Sequence, residues 1–579
     1  MLKTWKWWWL GLLAIMILAA VLRLTMFPLI PRGLNRDEAA LGYNAFSLLK
    51  TGRDEFGIAW PISITSFGDQ KLPGYVYLLI PFISVLGLHD WVIRLPSMIA
   101  GFFVIIGAGV VALQFAQSLR LSKSHAIAAS VVTMLLVAVS PWSVHFSRVA
   151  YEANVALAYF VWGLALYQWA IDRKTIVEQR AMLVGTAVLW SMTLLTYHSY
   201  HIFLPLFLLG LLVLELPKIK KLDKIGVAIS VAIGLVTVGL LFRGGVFQAN
   251  LIKNRGISPF HAEALWQAVT VYRSALPPQL ALFGKLLFNP LTEAITVFTQ
   301  NLITMISGIF FFIHGSGHGD NNPGNMSNLP LYIAPLCIAW LVGLWKRRES
   351  IGVKRFFLWV LAGMIPAALT IQPQHEVRLE QLFLAIEIGS GLGALLIWNE
   401  LKKPWVRTVA LALFAICVLT STIRFAMNYL LIIPQQVEAN ERYPLLAAAL
   451  AKYKATGDQV VTQSPENSPY IWYLEENAID PVWLQSHIVR YPPSDEGFLH
   501  VKQIDNLYFE KINWDDLYAR AKQKPVIVIV RPEEMPGDQR ASIHANFLEE
   551  IKNHNGQVLY QIWMLDPNKA FDHKLQPSS

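Results

Sequence analysis

The chain has 579 residues, 54% of them hydrophobic and 15% charged, and its mean hydropathy is +0.43. Soluble domains carry about a quarter charged residues, so this composition excludes an ordinary soluble enzyme, together with disorder, collagen, a coiled coil and a disulfide-built secreted scaffold. The net charge of +9 is unevenly placed: residues 435–579 hold 14 Lys+Arg against 20 Asp+Glu, net −6, which leaves 34 against 19, net +15, in residues 1–434. The excess basic charge belongs to the apolar part and calls for no nucleic-acid partner.

Apolar runs recur up to Pro434, each long enough to cross a hydrocarbon core of roughly 30 Å as a helix. The first lies within Met1–Phe27 and looks like a secretory signal. Its run is long, however, Arg23 follows Ala19-Ala20, and more spans come after it, which predicts an uncleaved first span. Trp5, Trp7, Trp8 and Trp9 are expected to form an interfacial belt. Further helices are expected at 92–119, 124–142, 154–171, 180–197, 200–216, 224–242, 329–346, 355–372, 379–398 and 406–433, about eleven crossings in all. Lys3 and Lys6 put the N-terminus in the cytoplasm, and the basic loops 120–123, 172–174, 218–224, 346–354 and 402–407 fall on the same side. The expected protein is thus a multi-pass protein of the plasma (inner) membrane with an extracytoplasmic C-terminus.

The first outside loop, 28–90, contains the apolar segment 75–88, which is short for a crossing and follows Pro73-Gly74. A crossing there would turn Arg120 and Lys123 outward and break the charge bias, so a re-entrant or interfacial helix is expected. Segment 286–313, within the long outside loop 243–328, carries Asn289, Pro290, Glu293, Gln300 and Asn301 and reads as a helix lying on the membrane or on the bundle. Cys337 and Cys417 sit in apolar runs, away from any metal-ligand spacing, and read as small core residues. After Pro434 the strand-like runs 459–463, 525–530 and 557–565 alternate with helix-like 515–522 and 540–553. That pattern predicts a small extracytoplasmic α/β domain, 435–579, behind a transmembrane domain, 1–434. With neither a glycine-rich phosphate loop nor a nucleophile elbow, the C-terminal domain reads as a packing or acceptor-docking cap.

The polar residues concentrate in the outside loops. Asp37 and Glu38 are adjacent carboxylates just after a membrane exit: two such acids beside an apolar surface can differ in proton affinity, leaving one as a base. The alternative is a helix N-terminus with acids favoured by its dipole. Asp69 and Lys71, before Leu72-Pro73-Gly74, place a cation at the headgroup boundary, suited to a phosphate or simply snorkelling. The turn at 140–154 holds His145, Arg148, Glu152 and Asn154. Arg148 suits a phosphate, and Glu152 and Asn154 suit orienting it or a sugar; capping of two helix ends is the alternative. His198 and His201, spaced i, i+3, are candidate substrate contacts, with backbone-bonded histidines favoured over metal ligation. In 372–378, His375 and Arg378 are further candidates, with a structural Glu376-Arg378 pair as the other reading.

Taken in order, Arg36-Asp37-Glu38, Lys71-Leu72-Pro73, Arg94-Leu95-Pro96-Ser97, Ser140-Pro141 and Ser147-Arg148 resemble the C-type (GT-C) membrane glycosyltransferases, similar to the protein O-mannosyltransferases of glycosyltransferase family 39 and the related lipid A aminoarabinose transferases. The resemblance covers the membrane region to about Trp398 and rests on motif order. It implies a GT-C fold and an inverting transfer from a polyprenyl-phosphate sugar to an extracytoplasmic protein, lipid or glycan acceptor. It makes Asp37 the catalytic carboxylate with Glu38 beside it, and Lys71, helped by Arg378, the ligand of the donor phosphate. Gln70 replaces the acid that precedes this lysine in the aminoarabinose transferases, so no metal ligand is assigned, although a divalent ion remains compatible with the motifs. The alternative class is a transporter or flippase of lipid-linked sugars, which should instead place its ionisable residues near the bilayer midplane on broken helices.

Overall fold

The computed structural model describes residues 2–27, 29–173, 175–436, 440–462, 468–494, 499–534 and 545–566, with the side chains of 2–8, 251–256, 436 and 462 left out. It divides into two compact units, one of Met1–Phe27 with Leu95–Tyr429, the other of Pro28–Arg94 with Leu430–Ser579. The sequence placed 28–90 with the membrane domain; in the structure these residues share a unit with the C-terminal chain.

The first unit is helical. Every expected crossing is a helix: Leu2–Leu24, Asp90–Ser118, Lys123–Val139, Glu152–Asp172, Ile176–Thr196, Tyr200–Ile219, Lys224–Arg243, Ile333–Lys346, Ile351–Ala368, Glu380–Glu400 and Pro404–Met427. By length and composition, eight helices among the described residues can cross a membrane, or nine if Lys123–Val139 and Pro141–Arg148 count as one bent span. These eight do not match the eleven one for one: Ile333–Lys346 is short, Ile176–Thr196 does not qualify, Pro290–Phe312, expected to lie flat, does, and of the first helix only Trp9–Leu24 is described well enough to count. The bend of 59° falls at Ser140-Pro141, where the proline cannot donate to the preceding turn and the residue before it is pushed to an extended conformation. Arg23, fully buried, donates from the first helix to Ala138 O at 2.9 Å, Ser143 Oγ at 2.8 Å and Ser147 Oγ at 3.1 Å, tying the N-terminal helix to this bend.

Helix Ile333–Lys346 packs on Glu380–Glu400, which also meets Lys123–Val139. A Cβ on Gly393 would lie 2.0 Å from Leu336 O, so the first pair depends on a small residue at its crossing. Cys337 is half-buried, whereas Cys417 is exposed on Pro404–Met427, not in the core as expected. That helix turns most of its apolar side chains outward, so apolar sequence there signals a lipid-facing surface. Of the expected tryptophan belt only Trp9 has a described side chain, and it is exposed; Trp5, Trp7 and Trp8 lie outside the described side chains.

The second unit begins with helix Arg36–Thr51 and a hairpin of β1 (Ile64–Ser66) and β2 (Asp69–Lys71), followed by Pro73–Leu86, the helical form of the predicted re-entrant segment. Phe67 and Gly68 both have positive φ, as a two-residue hairpin turn requires. The C-terminal chain adds β3 (Asp458–Thr462), β4 (Ile488–Arg490), β5 (Val501–Ile504), β6 (Leu507–Glu510), β7 (Val526–Val530), β8 (Ala545–Lys552) and β9 (Val558–Leu565) in one sheet of order β4-β5-β6-β3-β7-β9-β8. β3 runs parallel to β6 and β7, and the remaining pairs are antiparallel. The α/β character is as expected, with one correction. The described part of 540–553 is strand β8, paired with β9. The Asn555-Gly556 turn, with Gly556 at φ 80°, marks that hairpin, and pairing with the buried β9 overrides the helix-like spacing of Phe547 and Ile551.

Leu517 and Ala521 of helix Trp514–Ala521 pack with Val526, Val528, Val530 and Trp563 in a core on one sheet face. Leu517→Ala is expected to destabilise this unit by about 2–5 kcal/mol. Denaturant unfolding of the full chain in lipid, read by tryptophan fluorescence, checks this; an unchanged midpoint would show that the core collapses around the loss.

Candidate functional site

The site that the sequence nominated is assembled at the start of helix Arg36–Thr51. Asn35 is its N-cap: Asn35 Oδ1 accepts from Glu38 N at 2.9 Å, and Glu38 Oε2 accepts from Asn35 N at 3.0 Å, a reciprocal capping box. Glu38 is 2% exposed, and Arg94 grips it in a bidentate pair, Nε to Oε1 at 2.8 Å and Nη2 to Oε2 at 3.0 Å. The same guanidinium donates to Pro31 O at 2.8 Å and Gly33 O at 2.6 Å, closing the loop that leads into the helix. Both oxygens of Glu38 therefore hold local structure. Asp37, one residue earlier, turns the other way, and its side chain is 57% exposed.

Asp37 Oδ1 accepts from Lys71 Nζ at 2.6 Å, and Asp69 Oδ2 accepts from the same ammonium at 2.9 Å. The hairpin register explains the grouping. Asp69 and Lys71, two residues apart on β2, share one face, while Gln70 between them exchanges hydrogen bonds with Thr65 on the paired strand. Leu72 is the N-cap and Pro73 the first residue of the next helix, so Lys71 is fixed from both sides. The buried Phe67 ring at the hairpin tip lies under both Arg36, 4.4 Å from the guanidinium carbon, and Lys71, 5.3 Å from Nζ. The surrounding protein disfavours charge on Asp37 and Asp69 repels it, yet Lys71 and Arg36 prevail and hold its carboxyl below the ordinary value.

Behind the hairpin, the buried Glu55 accepts from Tyr470 Oη at 2.8 Å, Ser66 Oγ at 2.9 Å and Asn44 Nδ2 at 3.2 Å. Burial pushes this carboxyl upward. Tyr470 Oη also accepts from Phe67 N at 3.1 Å, so a residue over 400 positions away fixes the turn that carries Asp69 and Lys71. Sequence reasoning did not find Phe67, Glu55 or Tyr470. The Phe67-Gly68 turn was the one local signal available.

The remaining candidates belong to the other unit. Arg148 is fully buried and donates to Leu22 O at 3.1 Å and Arg23 O at 2.7 Å. Asn154, 1% exposed, donates to Ser97 O at 2.8 Å and Ser97 Oγ at 3.1 Å, a helix-to-helix tie. Glu152 begins helix Glu152–Asp172 and belongs, with Arg378 and Glu380, to the charges around Tyr197. His201 has both ring nitrogens engaged, Nε2 with Leu194 O at 2.8 Å and Nδ1 with Asn250 Nδ2 at 3.2 Å, and its ring lies 5.6 Å from that of His198. His375 meets Asn321 at 3.3 Å, and burial, then Arg378 and His318, keep its imidazole neutral by lowering its pKa well below the usual value.

The Glu376-Arg378 pair, the alternative reading of this segment, does not form. Glu376 accepts from Ser316 N and Ser316 Oγ, both at 2.7 Å, anchoring the long loop. Arg378 Nη1 instead donates to Thr370 Oγ1 at 3.0 Å and remains partly exposed. The turn at 316 lies far from 376 in sequence, which hid the partner.

No protein-family model matches the sequence, and no curated protein does. Solved structures do resemble it. ArnT from Cupriavidus metallidurans matches in the apo state with a TM-score of 0.51 and 12% identity over 97% of this chain and 99% of that one. Bound to undecaprenyl phosphate it matches with a TM-score of 0.53 and 11% identity, over 97% and 98%. The archaeal oligosaccharyltransferase AglB from Archaeoglobus fulgidus, in complex with an inhibitory peptide and a dolichol-phosphate, matches with a TM-score of 0.50 and 14% identity over 81% of this chain and 63% of that one. At such identities the likeness is one of architecture: the chain has the GT-C fold.

Arg94→Met is expected to cost about 3–5 kcal/mol by leaving Glu38 buried and uncompensated, with the Arg94→Met/Glu38→Met double variant recovering much of that loss. Hydrogen exchange at the first turn of Arg36–Thr51 checks it. Equal protection in wild type and single variant would show that the pair does not hold the helix start.

Proposed function

We propose that this chain is a membrane glycosyltransferase that moves a sugar from a polyprenyl phosphate to an acceptor outside the cytoplasm, with inversion at the anomeric carbon. The observation that carries the reading is the Asp37-Lys71-Asp69 group, an exposed carboxylate held ionised beside a buried ammonium, on a GT-C scaffold. The motif order supports a relation to glycosyltransferase family 39 and the aminoarabinose transferases. The basic loops support an inner-membrane orientation with residues 28–90 and the C-terminal domain outside. The acceptor is a protein, lipid or glycan, and the C-terminal domain receives it.

In this mechanism Asp37 orients the acceptor nucleophile. A carboxylate with a depressed pKa is a weak base towards a resting hydroxyl, so it takes the proton late, as the new bond to the anomeric carbon forms and the nucleophile becomes acidic. The bond from that carbon to the phosphate oxygen breaks with its electron pair, and the polyprenyl phosphate leaves against Lys71. Glu38 acts through position alone, by fixing the turn from which Asp37 projects. Asp69 shares the ammonium and aligns it.

Asp37→Asn is expected to lower turnover by about 10²–10⁴-fold with donor binding intact. Radiolabelled polyprenyl-phosphate sugars presented to the protein in lipid measure both. Donor bound tightly yet moved across the bilayer without transfer would favour transport instead. Lys71→Ala is expected to weaken donor binding and also to shift the acid limb of the pH profile. Because Asp37 lies below its ordinary value of about 3.9, wild-type activity should persist as pH falls through that value. Without Lys71 only Arg36 opposes the hindered hydration and the Asp69 repulsion, and the acid limb should move up. An unmoved limb would remove Asp37 from the rate-controlling proton transfer.

A further inference from the structure

A second ionisable cluster, apart from Asp37 and Lys71, lies in the Pro28–Arg94 and Leu430–Ser579 unit. Asp90, Glu475 and Glu476 each bring a carboxylate oxygen within 4.8 Å of the others. Glu475 and Glu476 end helix Tyr470–Glu476, at the negative pole of its dipole, where acids are disfavoured and cations favoured. Glu475 is 3% exposed, and its Oε2 has no hydrogen-bond partner among the described residues. A buried oxygen in that state costs free energy unless something satisfies it.

The arginine that acts on Glu475 is Arg94, and its guanidinium is committed to Glu38, Pro31 O and Gly33 O. Burial first, then repulsion from Asp90, Glu476 and Glu38, pushes the Glu475 carboxyl well above its usual range, and Glu476 is pushed up to about 7 by burial and Asp90. Three carboxylates without sulfur or imidazole form a hard oxygen donor set, which selects calcium, magnesium or manganese over softer metals.

We propose that Asp90, Glu475 and Glu476 form a divalent-cation site of the calcium and magnesium class. The ion ties the end of helix Tyr470–Glu476 to the start of helix Asp90–Ser118, and so fixes the segment of chain that also supplies Tyr470 and Arg94 to the Asp37 site. The inference stands on this cluster alone and does not rest on the glycosyltransferase reading.

The test uses the full-length protein in detergent, stripped with EDTA and titrated with Mn²⁺ alone, with the bound ion read by electron paramagnetic resonance and competed by Ca²⁺ and Mg²⁺. Wild type should bind Mn²⁺ saturably and melt at a higher temperature when loaded. Glu476→Gln, at the exposed member, spares folding. It and Glu475→Gln should each weaken binding by at least about tenfold, the loss that even outer-shell partners of a metal produce. Asp37→Asn and Asp69→Asn should bind as wild type does. Absence of saturable binding, unchanged affinity in folded Glu476→Gln, or binding abolished by Asp37→Asn or Asp69→Asn would each overturn the proposal, the last by moving the ion to the Lys71 group.

Discussion

The Asp37 site depends on one buried interaction, the bidentate pair between Arg94 and Glu38. Successive residues in a helix point about 100° apart, so the adjacent acids cannot share a fate. Glu38, third residue of the helix, turns back to close the capping box and meet Arg94, and Asp37 is thereby turned outward. Arg94 also holds the carbonyls of Pro31 and Gly33, so one side chain fixes both the approach to the helix and the direction of its second residue. A buried pair of this kind adds little net stability, because its desolvation nearly offsets its attraction. Its value is in specifying one arrangement, since either partner alone would be stranded in a dry site.

Given that turn, the electrostatics of the site follow from the hairpin. Asp37 and Asp69 share Lys71, and Arg36 and Lys71 lie over the Phe67 ring. Formal charge within the group balances, two carboxylates against two cations. In the proposed mechanism, this balance lets a carboxylate and an anionic phosphate share one neighbourhood. Lys71 keeps the Asp37 carboxylate charged, and Asp37 and Asp69 in turn hold the lysine aligned over the Phe67 ring.

What the sequence made legible was local. Hydropathy marked the helix at every expected crossing, and the order of Asp37, Lys71 and Arg94 marked residues that the fold brings into one unit. What it hid was set by distant partners. Tyr470 reaches Glu55 and the backbone of Phe67 across more than 400 residues, and no periodicity announces that. β8 has a helix-like spacing, and only its partner β9 decides otherwise. Glu376 pairs with Ser316, sixty residues away, instead of with Arg378 two residues on. The adjacent acids read as a chemical pair, and they divided because helical geometry separates neighbours.

The arginines show the same limit from the other side. Ionisable groups at membrane depth are costly, so each one has a reason to be kept, but cost alone does not separate ligand binding from architecture. Arg23 and Arg148 are both fully buried. Arg23 spans to the bend at Ser140-Pro141, and Arg148 caps the C-terminal carbonyls of the first helix, where a cation meets the negative pole of a helix dipole. These contacts give both residues a structural reason to persist. Arg378 differs, since its guanidinium is partly exposed and, among the described residues, bonds to the Thr370 hydroxyl and the Gln372 carbonyl and to no carboxylate. Two arginines that read alike in the sequence are thus set apart by burial and by bonding partner, which sequence position alone did not supply.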